Sequence, residues 1–463
     1  MTPLGMRAVG VFLLVLCWWL FTPVPIGVSS FFGLALWVGV GVLSASEAFA
    51  YIGHWINVFL IGSFGIAAAL NTTGAARRYA LTMLNFSFVR GKPWRLFTIF
   101  FVACGVLSAF SSNTASTIIF VSLALPLLEA AGIKKGDRFG LFFMLSIAWA
   151  ANIGGMMTPV GCVTNIAAMG IVEEITGYYM GFAMWCAPGV VVFVITTIVT
   201  IVVIRYVMRP DISVLKAVDS AFLTNRLKEM GPMHLGEKMA WGFLALAVIL
   251  WVIPDPIRYI SADVYAAIKE PLNWGVTAIA IATIMCMVPY KVQGERKMLL
   301  SFRDWAANVD LGTVGLVAIC LALAGTLGNP DTGIVDTLGN ALSPVVSGLP
   351  PLIMVAVLSL VTVMMANFMS HMTSMTVWVL VGVTLSAQLG VGNPVALAVA
   401  ITAAASMGGA FPSATTTTAV VFGTGYITVP EMLKSGLLIT VVSAVVAGIL
   451  GYLVASMVFP WPV

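Results

Sequence analysis

Four short polar runs interrupt this otherwise apolar chain: residues 108–117 (SAFSSNTAST), 154–165 (GGMMTPVGCVTN), 366–376 (ANFMSHMTSMT) and 406–418 (SMGGAFPSATTTT). They hold hydroxyls, carboxamides, glycines and prolines, and none holds a carboxylate or an ammonium. That absence defines the chemistry. Serine and threonine hydroxyls, asparagine oxygens and free carbonyls are neutral ligands for a hard monovalent cation, while hydroxyl and amide protons can donate to an oxyanion. A helix broken at such a run exposes N–H groups at one half-helix N-terminus, which favour an anion, and carbonyls at the other end, which favour a cation. A fixed arginine would hold an anion more tightly, but a carrier must also release it. Small polar residues are common at close helix contacts in membranes. Here, however, the runs pair along the chain, and 154–165 and 406–418 contain both glycine and proline.

His371 is the one histidine deep in an apolar segment, where it is either a hydrogen-bonded buried imidazole or a contact for substrate or proton. His54 and His234 read as interface or loop residues. The run Thr415–Thr418 places hydroxyls all around a helix, so one or two of them are expected to face a site.

The elements that must carry these runs follow from composition. Of 463 residues, 60% are hydrophobic and 9% charged, which is the composition of a polytopic membrane protein. The apolar runs have helix-spanning length and lack the alternation of barrel strands, so the predicted class is all-α. Ten spans are predicted, at about 6–22, 28–43, 54–72, 139–170, 179–207, 239–253, 273–289, 309–328, 388–425 and 433–458. Segments 97–130 and 349–385 are broken near their middles and read as re-entrant hairpins. The first run, Met6 to Phe21, is followed by TPVPIG rather than a small-residue cleavage site and reads as a mature helix.

With both hairpins re-entrant and the N-terminus outside, 19 of the 22 lysines and arginines fall on the cytoplasmic side, leaving Arg7, Arg258 and Lys269 outside. The halves also repeat landmarks in one order: TTG at 72–74, SSN, then GGMMTP, against DTG at 331–333, SHM, then GGAFP. The predicted organisation is a first repeat, 1–207 (scaffold 6–96, hairpin 97–130, helices 139–207), a cytoplasmic linker, 208–238, and a second repeat, 239–463 (scaffold 239–345, hairpin 349–385, helices 388–458). An odd number of crossings per half makes the repeats antiparallel, the pattern of a secondary transporter with its site near the midplane.

Other classes fit poorly. There is no HExxH, no intramembrane Asp pair and no GxSxG, so no enzyme is expected. The six cysteines show no CxxC or Cys/His spacing and read as buried thiols. A net charge of +4 whose basic residues serve topology does not indicate nucleic acid. A channel has less need of two interrupted repeats.

Over nearly the whole chain the sequence resembles the divalent anion:sodium symporter family, which carries dicarboxylates, citrate and, in some members, sulfate. WWLFTPVPIGVSS, VLSASEAFAYIGHWINVFLIGSFGIAAAL, SNTAST and the GG…TPVGCVTN stretch carry the resemblance. It implies a multi-pass protein of the inner (plasma) membrane and a homodimeric elevator, in which hairpins and unwound helices carry Na⁺ and a small C4-dicarboxylate-like dianion together. The coupling ion would be Na⁺, with no other cofactor. A first sodium site would use Ser108, Ser112, Asn113 and a carbonyl near Gly161. A second would use carbonyls at Ala366 and Met369, the residue at His371 and a carbonyl near Ser413. The substrate would lie against Asn113, Thr114, Cys162, Ser370, His371, Thr373, Thr415 and Thr416. Where the family has a second Ser-Asn-Thr, this chain has Ser370-His371-Met372, so the same architecture could also suit sulfate, a sulfonate or another oxyanion, or work as a proton-coupled carrier or an exchanger.

Overall fold

The computed structural model describes all residues except 22–23, 90, 218–219, 293, 338–339, 341–349 and 462–463. Arg90, one of the cytoplasmic basic residues of the topology reading, and parts of the 208–238 linker and of the 239–345 scaffold segment lie outside the described residues. The described chain is nearly all helical, and eight of its helices are long and apolar enough to cross a membrane. It is a multi-pass membrane protein, which in a bacterium places it in the plasma membrane. One small element departs from the all-α expectation: Pro289–Val292 pairs antiparallel with Glu295–Met298. The connection is tight because Gly294 adopts φ 87°, a value that residues with a Cβ rarely reach.

Both segments read as interrupted are interrupted, but more briefly than their polar runs suggested. Pro93–Ser108 is followed after four residues by Asn113–Ala130, and Pro351–Phe368 after two by His371–Leu389. About half of each polar run therefore lies inside the second helix of its pair. The proline at the start of both first arms has a preset φ and lacks only an N–H that would have no helical partner.

Two predicted spans are corrected. The 139–170 span is two helices, Arg138–Gly155 and Val163–Thr176. The 388–425 span is also two, Pro394–Ser406 and Thr416–Gly423, and its first six residues close the preceding helix and turn at Gly390. Pro159 and Pro412 each sit in the connection, where a residue without an N–H cannot continue a helix.

Packing brings helices of the two halves of the chain together. Trp55–Thr72 lies against Trp274–Met287, and Ile26–Gly39 against Leu311–Gly328. Phe182–Val202 lies against Val429–Val458, with Thr200 Oγ1 and Ser443 Oγ 3.1 Å apart in the buried seam. Asp255 caps Phe182–Val202 from outside it, accepting the Ala183 N–H at 2.6 Å. At the other end of the chain's middle, the buried Glu237 carboxylate receives Arg78 Nε and, at 3.0 Å, Arg78 Nη2, with His234 Nε2 3.2 Å from its Oε1. His234 and His54, read as loop or interface residues, prove to be N-caps whose Nδ1 atoms accept from Glu237 and Ile56.

The charge-derived orientation makes its own prediction. On a cysteine-free background, cysteine at 263 is expected to react with an impermeant thiol reagent added to intact cells, and cysteine at 228 only after permeabilisation. The opposite pattern would invert the orientation and the hairpin count with it.

Candidate functional site

Four helices begin at one place. The cap and first residues of Asn113–Ala130 (Ser112, Asn113), Val163–Thr176 (Cys162, Val163), His371–Leu389 (Ser370, His371) and Thr416–Gly423 (Thr415, Thr416) all line a single cavity of about 680 Å³. Each start has a local cause. Ser112, Ser370 and Thr415 take extended backbone conformations, and their hydroxyls accept the N–H of the third helical residue, from Ala115 at 3.1 Å, Thr373 at 3.1 Å and Thr418 at 3.2 Å. The His371 N–H is taken by Ala414 O, and the N–H groups nearer the other three starts are left to whatever occupies the cavity. Thr114 and Thr416 hydrogen-bond through their hydroxyls and so join the first hairpin to the last broken helix.

The far wall comes from other helices: Pro25, Ile26 and Gly27, then Leu60 to Ala67, then Asn308 to Leu316. Among the described lining residues none is lysine or arginine, and the one charged side chain is Asp310. Its carboxylate is held at the start of its own helix by Thr313, through the N–H at 3.2 Å and the hydroxyl at 2.5 Å.

Beside the cavity, one terminal atom of the Asn113 carboxamide lies 2.6 Å from Ser108 Oγ, 3.0 Å from Gly161 O and 3.1 Å from Ala151 O. With nitrogen there, it donates to the two carbonyls. With oxygen there, it accepts the Ser108 hydroxyl proton and faces the two carbonyls, an arrangement that a cation among these oxygens would stabilise. The connection 156–162 is tied down to present these carbonyls: Asn165 Nδ2 donates to Gly155 O and Thr158 O, both at 2.8 Å, and Thr158 Oγ1 donates to Ala109 O. Gly155 leaves the room, since a Cβ on it would overlap the Asn113 carboxamide. These residues fit a neutral-oxygen site for Na⁺.

The second hairpin is built otherwise. His371 is buried and its Nε2 is 2.9 Å from Gly408 O, which also receives Asn152 Nδ2 at 3.2 Å. Asn367 Oδ1 accepts the N–H groups of Gly409 at 2.9 Å and Ala410 at 2.8 Å. Of the residues expected for a second Na⁺, His371 lines the cavity, whereas Ala366, Met369 and Ser413, expected to offer main-chain carbonyls, are not among its lining residues.

Of the expected substrate contacts, Asn113, Thr114, Cys162, Ser370, His371, Thr415 and Thr416 line the cavity. Thr373 does not. It sits behind Ser370, hydroxyl to hydroxyl at 2.9 Å, because helical geometry turns the third residue back toward its cap. Three of the four threonines of 415–418 reach the cavity rather than one or two, while Thr418 turns back to accept the Thr415 N–H at 3.0 Å. Sequence reading missed Asn152, which lies in the first half yet donates to Gly408 O and accepts from Thr417 Oγ1 at 2.9 Å in the second. It also missed Ser63 and Asp310 on the far wall. A lone amide or hydroxyl in an apolar helix gives no signal of the partner it will meet.

Comparison with known proteins adds three findings. The family profile described as Citrate transporter matches residues 16–404. The chain is similar to the sodium-dependent dicarboxylate transporter SdcS of Staphylococcus saprophyticus, 27% identical over 457 residues, covering 97% of this chain and 86% of the relative. It is 25% identical over 463 residues to SdcS of Staphylococcus aureus, covering 98% and 86%. In fold it is similar to the crystal structure of the Alcanivorax borkumensis YdaH transporter, with a TM-score of 0.58 at 12% identity over 100% of this chain and 99% of that one.

Proposed function

Because the chain belongs to the citrate transporter family, among the divalent anion:sodium symporters that its sequence resembles, we propose that it is a secondary active transporter of a C4-dicarboxylate-like dianion, driven by Na⁺. The observation that carries the reading is the convergence of four helix N-termini on one cavity that lacks lysine and arginine among its described lining residues. Aligned peptide dipoles give each N-terminus a partial positive charge and free N–H donors, so the cavity attracts an anion without a fixed cation to trap it. A volume of about 680 Å³ suits an organic anion better than a bare tetrahedral oxyanion.

In this reading Na⁺ binds first among Asn113, Ser108, Gly161 and Ala151. Its charge then lies beside the first hairpin, where a substrate carboxylate can take N–H groups at the start of Asn113–Ala130. Mutual attraction in a site of low dielectric makes each bind better with the other present, and that reciprocal coupling is what a symporter requires. The cavity lies between the hairpins and broken helices on one side and the helices around residues 25, 60 and 310 on the other. An elevator movement of the first group along the second, in a homodimer, would expose it to each side of the membrane in turn.

Uptake into proteoliposomes, with a panel of dianions and with Na⁺, H⁺ and counter-substrate gradients imposed in turn, tests this. An inward Na⁺ gradient is expected to drive accumulation of a four-carbon dicarboxylate, and prior substrate is expected to slow labelling of Cys162 when the other cysteines are replaced. Uptake indifferent to Na⁺ would overturn the coupling, and preference for sulfate would overturn the substrate class.

A further inference from the structure

We propose that the second cation position of the family pattern is filled from within the protein by the His371 imidazole, leaving the Asn113 cluster as the cation site of this chain. The proposal rests on the sodium coupling proposed for Asn113.

The two hairpins invite a position-by-position comparison. Asn113 and His371 each follow a capping serine, Ser112 and Ser370, and each is the first residue of its helix. In the first hairpin the carboxamide can turn an oxygen toward two carbonyls and the Ser108 hydroxyl. In the second, the imidazole points Nε2 at Gly408 O from 2.9 Å. The partner is a carbonyl, which can only accept, so Nε2 carries the proton and donates. Asn152 Nδ2 donates to the same oxygen from 3.2 Å. A carbonyl has two lone pairs, and both are then used.

Ala366 stands as far before His371 as Ser108 stands before Asn113, and it offers a methyl where the first hairpin offers a hydroxyl. The Ala414 carbonyl accepts the His371 backbone N–H at 3.3 Å. Asn367 commits its oxygen to Gly409 and Ala410 and its nitrogen to Val363 O at 2.9 Å. Gly408 allows the close approach of the ring, since a Cβ there would lie 2.8 Å from Nε2.

The imidazole N–H thus presents its positive end to the carbonyl that a cation would otherwise need to neutralise. Unlike an ion, it stays with the protein through every cycle. The physical consequence is coupling to one ion where the family pattern has two sites.

The test is equilibrium binding of radioactive Na⁺, without substrate, to purified wild type, His371→Asn and Asn113→Ala in nanodiscs. Wild type is expected to saturate at one ion per chain with a Hill coefficient of about one, His371→Asn at two with a coefficient above one, and Asn113→Ala to lose binding. His371→Gln serves as a second variant if the asparagine protein is not monodisperse. Two ions in wild type, or one in both folded His371 variants, overturns the proposal while leaving Asn113-dependent binding in place. No Na⁺ binding by any of the proteins overturns the sodium reading itself, and this proposal with it.

Discussion

Alanine at Gly155 is expected to reduce Na⁺-driven uptake at least about tenfold, as is alanine at Asn113, although Gly155 offers no side chain to any ligand. In the proposed site, Asn113→Ala would remove one of four oxygens and leave Gly161 O and Ala151 O beside an incompletely coordinated ion. Gly155→Ala reaches the same end from behind, because its methyl overlaps the carboxamide and must push it out of the cluster. A tenfold loss corresponds to about 1.4 kcal/mol, which lies within the cost of about 1–3 kcal/mol for one uncompensated buried polar group. The double variant separates this account from general misfolding. Once residue 113 is alanine, a methyl at 155 has nothing to strike, so the double variant is expected to be no worse than Asn113→Ala alone. Initial uptake rates across a Na⁺ series, on protein that elutes as one symmetric species, provide the measurement. Additive losses, or a Gly155→Ala protein with unchanged Na⁺ dependence, would sink the assignment of the cluster.

Arg78→Ala is expected to be the most damaging substitution away from the cavity, lowering stability by about 3 kcal/mol. Glu237 is 1% exposed and meets Arg78 through both its oxygens, while Arg78 also donates to Gly231 O at 2.8 Å and Met230 O at 3.2 Å. Removing the guanidinium leaves a buried carboxylate with His234 as its remaining side-chain partner and releases the chain segment 230–232 from Ala75–Leu84. The double change Arg78→Met with Glu237→Leu removes both charges and keeps apolar volume, so it is expected to recover most of the loss. Thermal unfolding in one detergent, compared across the three proteins, reads this directly. If the double variant is no more stable than Arg78→Ala, the loss comes from the backbone contacts and not from the stranded charge.

The placement of the cavity was legible in the sequence because it depends on breaks. A run such as Phe110–Thr117 inside an apolar stretch conflicts with burial in lipid unless the polar groups meet one another or a ligand, and glycines and prolines mark where helices stop. The residue types at Ser112, Ser370 and Thr415 suit helix capping, but which hydroxyl of each run starts the helix was decided by the structure. The brevity of the hairpin breaks and the splitting of 139–170 and 388–425 were less legible, since one polar run can serve as a loop, a cap or a first helical turn.

By itself, then, the sequence determined the class, a helical membrane protein, and the existence of neutral polar breaks suited to a cation and an anion. These properties depend on composition and on neighbours within a few residues. Only the tertiary structure decided that four breaks share one cavity, that Gly155 lies behind Asn113, and that Asn152 crosses from one half to the other to engage Gly408 and Thr417. It also decided the hydrogen-bond partner of His371, whose chemistry permits it to bind substrate, carry a proton or fill a cation position. The reason is physical: an imidazole has one donor and one acceptor to place, and which partner takes each depends on the carbonyl that packing sets 2.9 Å away, 37 residues along the chain.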